Sequence, residues 1–358
     1  MAALFKVAFT NNTLHATYDF KSIQVLRFVA ALMVLFCHAS FYVKERLNAS
    51  FPIYELGANG VPLFFVISGF VMVLSSEKLI TLNHSWKIFA LKRFSKIVPL
   101  YWIVTTFKVF LFLLMPGLIL HSNLNALYII KSYLFIPALN KDGLIEPLLG
   151  VGWTLNLEMF FYLLFTLALL FKWNRILFPG AIVLFLYSTS FLKDTDWHIL
   201  GFYRNQIIIN FLLGMIAAYF IQKKRYLPKS ISIIAIAIGL LYLFLPRNDS
   251  SPILSSFYLV NLSAFLVIYS CASLEKLNKI YFNSYFLFFG AASYSIYLIH
   301  PIVAPLAPVV LNRIGVHSSS LSIFLSIIIT LTTASFIYSF VENPISQYLN
   351  NKIRKLKL

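Results

Sequence analysis

Three side chains stand out because hydrocarbon rejects them: His38, Glu158 and His300 each sit inside a long apolar run. Ionisable groups within such runs usually face a bundle interior and mark a functional path. In LRFVAALMVLFCHAS, Arg27 and His38 are eleven residues apart. That is about three helical turns, so they share one face at a separation of roughly 16 Å. The bland alternatives are a snorkelling arginine at a helix end and a hydrogen-bonded packing histidine. In VGWTLNLEMFFYLLF, Thr154, Glu158 and Tyr162 recur every fourth residue and form one polar stripe below an interfacial Trp153. A carboxylate there is costly unless paired, protonated or wetted. A structural glutamate bonded to a neighbouring helix is the competing reading. In ASYSIYLIHPI, Ser293, Tyr297 and His300 share a face, with His300 near the outer end just before Pro301. An interfacial structural histidine competes there. Two histidines and a carboxylate at one depth suit general-base chemistry. They could also ligate a metal, but no close i, i+4 ligand pair exists and no metal is expected.

Two further segments carry chemistry-bearing patterns. NGVPLFFVISGFVM places Ser68 and Gly69 in mid-helix, either for close helix packing or for backbone approach to a ligand. WKIFALKRFSKIVPLYW gathers Lys87, Lys92, Arg93 and Lys96 in a loop entering a span, followed by Pro99, Tyr101 and Trp102. It reads as cytoplasmic charge plus an aromatic belt, or as a phosphate-binding patch in which arginine grips phosphate in bidentate fashion.

The elements that must position these residues are membrane helices. Of 358 residues, 60% are hydrophobic and 11% charged, and the mean hydropathy is +0.82. A soluble domain has about twice that charge. Runs such as IVLFLYSTSFL and SIIAIAIGLLYLFL do not alternate as transmembrane β-strands must. The expected fold is therefore an all-α integral membrane bundle of about ten transmembrane helices. The spans are placed near 22–43, 58–75, 97–116, 152–171, 176–192, 205–222, 230–246, 252–271, 284–303 and 320–340. One alternate set of loops holds Lys6 and Lys21; Lys78, Lys87, Lys92, Arg93 and Lys96; Lys172 and Arg175; Lys223, Lys224, Arg225 and Lys229; Lys276 and Lys279; and Lys352, Arg354, Lys355 and Lys357. The opposite set is poorer, with Lys44, Arg46, Lys131, Lys141, Lys193, Arg204, Arg247 and Arg313. Both termini are thus expected to be cytoplasmic. The net charge of +17 is mostly topological and excludes nucleic acid as the natural partner. Cys37 and Cys271 lie in apolar runs and suggest neither a disulfide framework nor a metal site. The first span is expected to serve as an uncleaved targeting signal. The segment 117–151 is a long outer loop, or in part a re-entrant element. No internal repeat is obvious, which weakens a transporter reading.

Taken in order and spacing, these motifs resemble the membrane-bound acyltransferase-3 family, which includes bacterial O-antigen and exopolysaccharide O-acetyltransferases. The resemblance covers roughly residues 20–345. It rests on Arg27-x10-His38, LFFVISGF, KRFSKIVPLYW, WTLNLEMFFY, SYSIYLIH and the terminal VENP with Glu342 and Pro344. It implies a ten-helix domain, residues 1–345, followed by a basic cytoplasmic tail, residues 346–358, in the bacterial inner membrane. It also implies transfer of an acyl group, acetyl above all, from cytosolic acyl-CoA to a carbohydrate or lipid-linked glycan. Carried over, His38 is the catalytic histidine, with Arg27 and Glu158 in support. Arg93, Lys92, Lys96 and Tyr101 would meet acyl-CoA, and Trp153, Ser68, Tyr297 and His300 the acceptor. Lys96 replaces the second arginine of the family's R-x-x-R, leaving a point charge where a bidentate group is usual. No fused SGNH hydrolase-like domain is expected, so a final transfer step needing one would use a separate periplasmic partner; a homo-oligomer is equally compatible.

An unperturbed histidine pKa near 6.5 suits a base at neutral pH. Glu158 could orient the imidazole as the acid of a triad does, or His38 could carry the acyl group itself. Two other classes stay open: a polysaccharide transporter or flippase using the buried ionisable residues as a proton relay, and a non-catalytic assembly subunit.

Overall fold

The structure is a computed structural model that describes residues 20–77, 79–115, 121–122, 125–192, 198–245, 257–278 and 280–355. Lys6, Lys78, Lys193, Arg247, Lys279 and Lys357 of the orienting loops lie outside the described residues. Among the described residues the chain is helical, apart from turns and one isolated bridge between Leu139 and Ile145. The helices are α1 (Lys21–Arg46), α2 (Gly60–Glu77), α3 (Ser85–Leu114), α4 (Ala126–Tyr133), α5 (Trp153–Leu170), α6 (Leu177–Thr189), α7 (His198–Tyr203) and α8 (Ile209–Gln222). Then follow α9 (Lys229–Phe244), α10 (Phe257–Leu277), α11 (Ser284–Ala291), α12 (Ser293–Val303), α13 (Leu306–Arg313), α14 (Ser319–Ile337) and α15 (Asn343–Lys355). Among the described residues eight helical segments are long and apolar enough to cross a membrane. Two further apolar helices, α6 and α9, are shorter, with 13 and 16 residues.

The chain divides into two compact units. One contains the chain through Leu74 together with Asn210–Ser339; the other contains Ser75–Ile209 and the chain from Phe340 on. In the first unit α1 is the central element. Ala30, Ala31, Leu35, Ala39 and Val43 have at most 1% of their surface exposed. Around it, α2 and α8 meet backbone to backbone. A Cβ at Gly69 would collide with the Phe211 carbonyl oxygen, and one at Gly214 with that of Val66. The pattern around Ser68 and Gly69 therefore packs helices, and backbone approach to a ligand is not needed to explain Gly69.

Three boundaries depart from the sequence-based expectation. The third helix starts at Ser85, so the basic residues occupy its first turns rather than a loop. Its 30 residues span about 45 Å, well beyond a hydrocarbon core of about 30 Å, which lets the charged end project past the apolar layer. The ninth segment, expected at 284–303, is two helices, α11 and α12, meeting at Ala292. The stretch long enough to span is Ser293–Arg313, which moves His300 away from the end. Pro301 is tolerated inside α12, where it removes a single backbone donor. Finally, α14 does not stop near 340. It passes through a π-helical turn, Tyr338–Glu342, into α15, so the basic tail is helical as far as Lys355.

In the second unit residues 125–149 are tied together by their own polar groups. Asn125 caps α4 through Leu127 and Tyr128, and the Asn140 side chain accepts from the Asp142 and Leu144 backbones around Gly143 (φ 78°). Burial pushes the Glu146 carboxyl up, against the pull of Lys108 and His121.

Candidate active site

Within the first unit, α1 and α12 pair along their length through polar groups. The Arg27 Nε donates to Ser293 Oγ at 3.2 Å, and His38 meets His300 further along both helices. Both contacts ascend in the same chain order, so the two helices run parallel. Their shared polar line is what the separate spacings of Arg27 to His38 and Ser293 to His300 anticipate.

The imidazole pair has a defined chemistry. His38 Nδ1 lies 3.0 Å from the Val34 carbonyl oxygen, one turn back on α1. His300 Nδ1 faces the Ile296 carbonyl in the same way, at 3.3 Å. A carbonyl oxygen only accepts, so each Nδ1 carries the proton; the tautomers are assigned from this network. His300 Nε2 is then a lone-pair acceptor, and it sits 3.3 Å from His38 Nδ1. The His38 Nδ1–H is shared between the Val34 carbonyl and the His300 ring. This leaves His38 Nε2 unprotonated and able to accept a proton from a bound hydroxyl. If it does so, the cation is spread toward His300 Nε2. The ring centroids are 4.8 Å apart, and His300 is 1% exposed. Tyr297 packs at a tilt against His300 at 5.8 Å and edge-on to Phe64 of α2 at 5.7 Å. Ser68 lies one turn beyond Phe64 on α2 and is half-buried.

Glu158 belongs to the second unit and has its own circuit there. The Tyr162 hydroxyl donates to Glu158 Oε1 at 2.5 Å, which is the i, i+4 stripe read from the sequence. The Arg93 guanidinium stands 5.5 Å from the Tyr162 and Phe89 ring centres and also donates to Ser75 Oγ. Tyr162 thus stands between a guanidinium over its ring and a carboxylate at its hydroxyl, which gives each half-buried charge a polar partner. The structure brings Glu158 to Tyr162, and Arg93 to the Tyr162 ring, within this unit, and His38 to His300 within the other. Arg93 therefore stands beside the Tyr162–Glu158 pair as well as in the basic patch.

The remaining donor-patch residues separate. Lys96 forms a 2.6 Å ion pair with Glu342, whose side chain is 2% exposed. Lys92 is exposed. Tyr101 is fully buried, donates to the Ser132 carbonyl at 3.0 Å and stacks on Phe135, so its hydroxyl ties α4 to α3. Trp153 opens α5 and is half-buried. Sequence reasoning missed the pairing of Lys96 with Glu342. The available signal was charge economy: with only 12 acidic residues in the chain, a Glu in an apolar segment needs a cation. Among the described residues no three His, Cys, Asp or Glu side chains gather as a metal site would need.

A membrane bundle with a half-buried histidine on its central helix, paired with a buried one on α12, is the setting that comparison makes specific. The acyltransferase-3 family, described as an acyltransferase domain, matches residues 20–340, and the chain belongs to it; it is a membrane acyltransferase. It is 32% identical over 271 residues to the exopolysaccharide production protein ExoZ of Rhizobium meliloti, covering 73% of this chain and 80% of ExoZ. It is 30% identical over 156 residues to acyltransferase MdmB of Streptomyces mycarofaciens, covering 41% of this chain and 38% of MdmB. It is 27% identical over 371 aligned positions to the O-acetyltransferase OatA of Staphylococcus aureus, covering 92% of this chain and 59% of OatA. No solved structure matches.

Proposed function

We propose that the protein transfers an acetyl group from acetyl-CoA to a hydroxyl of a cell-surface carbohydrate, free or lipid-linked. The observation that carries this reading is the fixed tautomer of His38, with Nε2 left basic and His300 behind it. His38 Nε2 takes the acceptor hydroxyl's proton as the oxygen attacks the thioester carbonyl. The carbon–sulfur bond then breaks, and the same nitrogen returns the proton to the departing thiolate. The products are the ester and free CoA. Arg27 and Ser293 position α1 against α12. Glu158, with Tyr162 and Arg93, supplies a second polar centre; Trp153, Ser68 and Tyr297 are the residues offered to the acceptor. Lys92 provides exposed cationic character toward the donor phosphates; Arg93 and Lys96 beside it are held by Tyr162 and Glu342, and Tyr101 supports the helix that carries all three.

The membrane arrangement in this proposal has ten crossings, with α6 and α9 as the two short ones. Both termini are cytoplasmic, and the setting is the bacterial inner membrane. Residues 1–345 form the transferase and 346–358 its basic tail; any further periplasmic step falls to a separate partner or a second copy. The relatives' printed functions in exopolysaccharide production and O-acetylation support this reading. Mass spectrometry of surface polysaccharide from cells with the wild-type gene, with His38→Ala and without the gene tests it. Acetylation present only with the wild type is expected. Equal acetylation in all three, with the variant protein present in the membrane, would contradict it.

A further inference from the structure

We infer that α15 is part of the phosphate-binding surface: Arg354, with Lys352 and Lys355, joins Lys92 and Lys87 of α3 to grip the phosphates of the donor's nucleotide. This rests on the acyl-CoA reading above and names residues of that site that lie outside the basic motif on α3.

The geometry starts from what is no longer available on α3. Arg93 is turned to Ser75, Phe89 and Tyr162, and Lys96 is neutralised by Glu342. Of the patch on α3, Lys87 and Lys92 remain exposed. The Lys96–Glu342 pair fixes the start of α15 against α3, and the two helices pack together. At the far end of α15, Ile353 is buried at 8% exposure, so the last turn is also held down. Its neighbours Lys352, Arg354 and Lys355 are exposed around that anchor. Lys352 lies over the Tyr348 ring at 4.8 Å, which orders its stem. Arg354 is close enough to Lys92 for the two to repel, and Arg93 adds to that repulsion. Among the described residues no carboxylate pairs with Lys92 or Arg354. Glu342 is committed to Lys96, and Glu77 attracts Arg175.

Like charges held together by packing on two anchored helices are relieved by an anion. A guanidinium beside an ammonium suits a phosphomonoester or diphosphate, the arginine gripping two oxygens and the lysine adding a point charge. With Arg93 set against Tyr162 and Lys96 paired with Glu342, Arg354 supplies a guanidinium to this surface from a different helix.

The test uses full-length protein in phosphatidylcholine nanodiscs and measures binding of adenosine 3′,5′-bisphosphate, with thermal unfolding as the folding control. Wild type should bind, more weakly as salt rises. Arg354→Gln and Lys92→Gln should each lose about tenfold in affinity, the worth of one hydrogen bond to a charged group. Lys229→Gln, at the start of α9, should bind as wild type. If wild type binds and the α15 and α3 variants bind equally well, the inference fails and the acyl-CoA reading stands. No binding by wild type overturns that reading, and the inference with it. A loss seen only in nanodiscs containing phosphatidylglycerol assigns the patch to lipid headgroups and overturns the inference alone.

Discussion

His38 differs from a packing histidine in which nitrogen is left over. The α1 backbone occupies Nδ1, so the free Nε2 is imposed by the helix rather than chosen by a ligand. In the proposed mechanism His300 is a positioning residue that holds the ring and shares the charge it acquires. Removing the base should lower acetyl transfer by about 10²- to 10⁴-fold, the usual worth of general-base catalysis. His300→Ala should lower kcat by a smaller factor while leaving the KM for acetyl-CoA unchanged. A rise in KM with kcat intact would give His300 a binding role instead. For Glu158, Tyr162→Phe removes one hydrogen bond, with an expected stability cost of about 1 kcal/mol in membrane-protein unfolding; no change would place the carboxylate with other partners. Spacing revealed the Tyr162 partner because i, i+4 neighbours are local. It could not reveal the His38–His300 contact, which joins residues 262 apart in the chain. Nor could it show that Arg93 stands against the Tyr162 ring that donates to Glu158, since both charges had plausible separate explanations in the sequence.

Helices carry the next level of the account. Gly69 and Gly214 let α2 and α8 approach at backbone distance, so Gly69→Ala and Gly214→Ala should each destabilise the protein by about 1–3 kcal/mol through overpacking. A thermal midpoint unchanged in either variant would show that the helices can part freely. Lys96→Ala should cost about 3 kcal/mol by removing the cation beside buried Glu342, and adding Glu342→Leu should recover most of it. In the 121–149 connection, the folded state holds the Glu146 proton more tightly than the unfolded chain does. The burial penalty therefore exists above the raised pKa and fades as pH falls through it. Glu146→Gln should raise the thermal midpoint at neutral pH, and the gap to wild type should close on acidification. A gap independent of pH would contradict this. Hydrophobic runs located each of the long helices among the described residues, because apolar length alone decides what can cross a bilayer. They did not locate the break at Ala292 or the early start of α3, since local helix formation continues through residues whose depth is set by packing and charge.

At the scale of the whole molecule, the class was legible from composition and the family from the order of its motifs. Which side each end faces depends on the membrane, and loop charge supplies the expectation. Cysteine-accessibility labelling of single cysteines at Lys131 and Lys223 should react from opposite faces, the second from the cytoplasm. Labelling of both from one face would refute ten crossings with cytoplasmic termini. The central claim is that His38 moves an acyl group from a thioester to a sugar hydroxyl. It is tested most directly by purified protein in nanodiscs given acetyl-CoA carrying an isotopic label in its acetyl group, together with deacetylated surface polysaccharide. Label should pass to the polysaccharide with release of one CoA per ester formed, and His38→Ala, folded to the same thermal midpoint, should do neither. Undiminished label transfer by that variant would contradict the account.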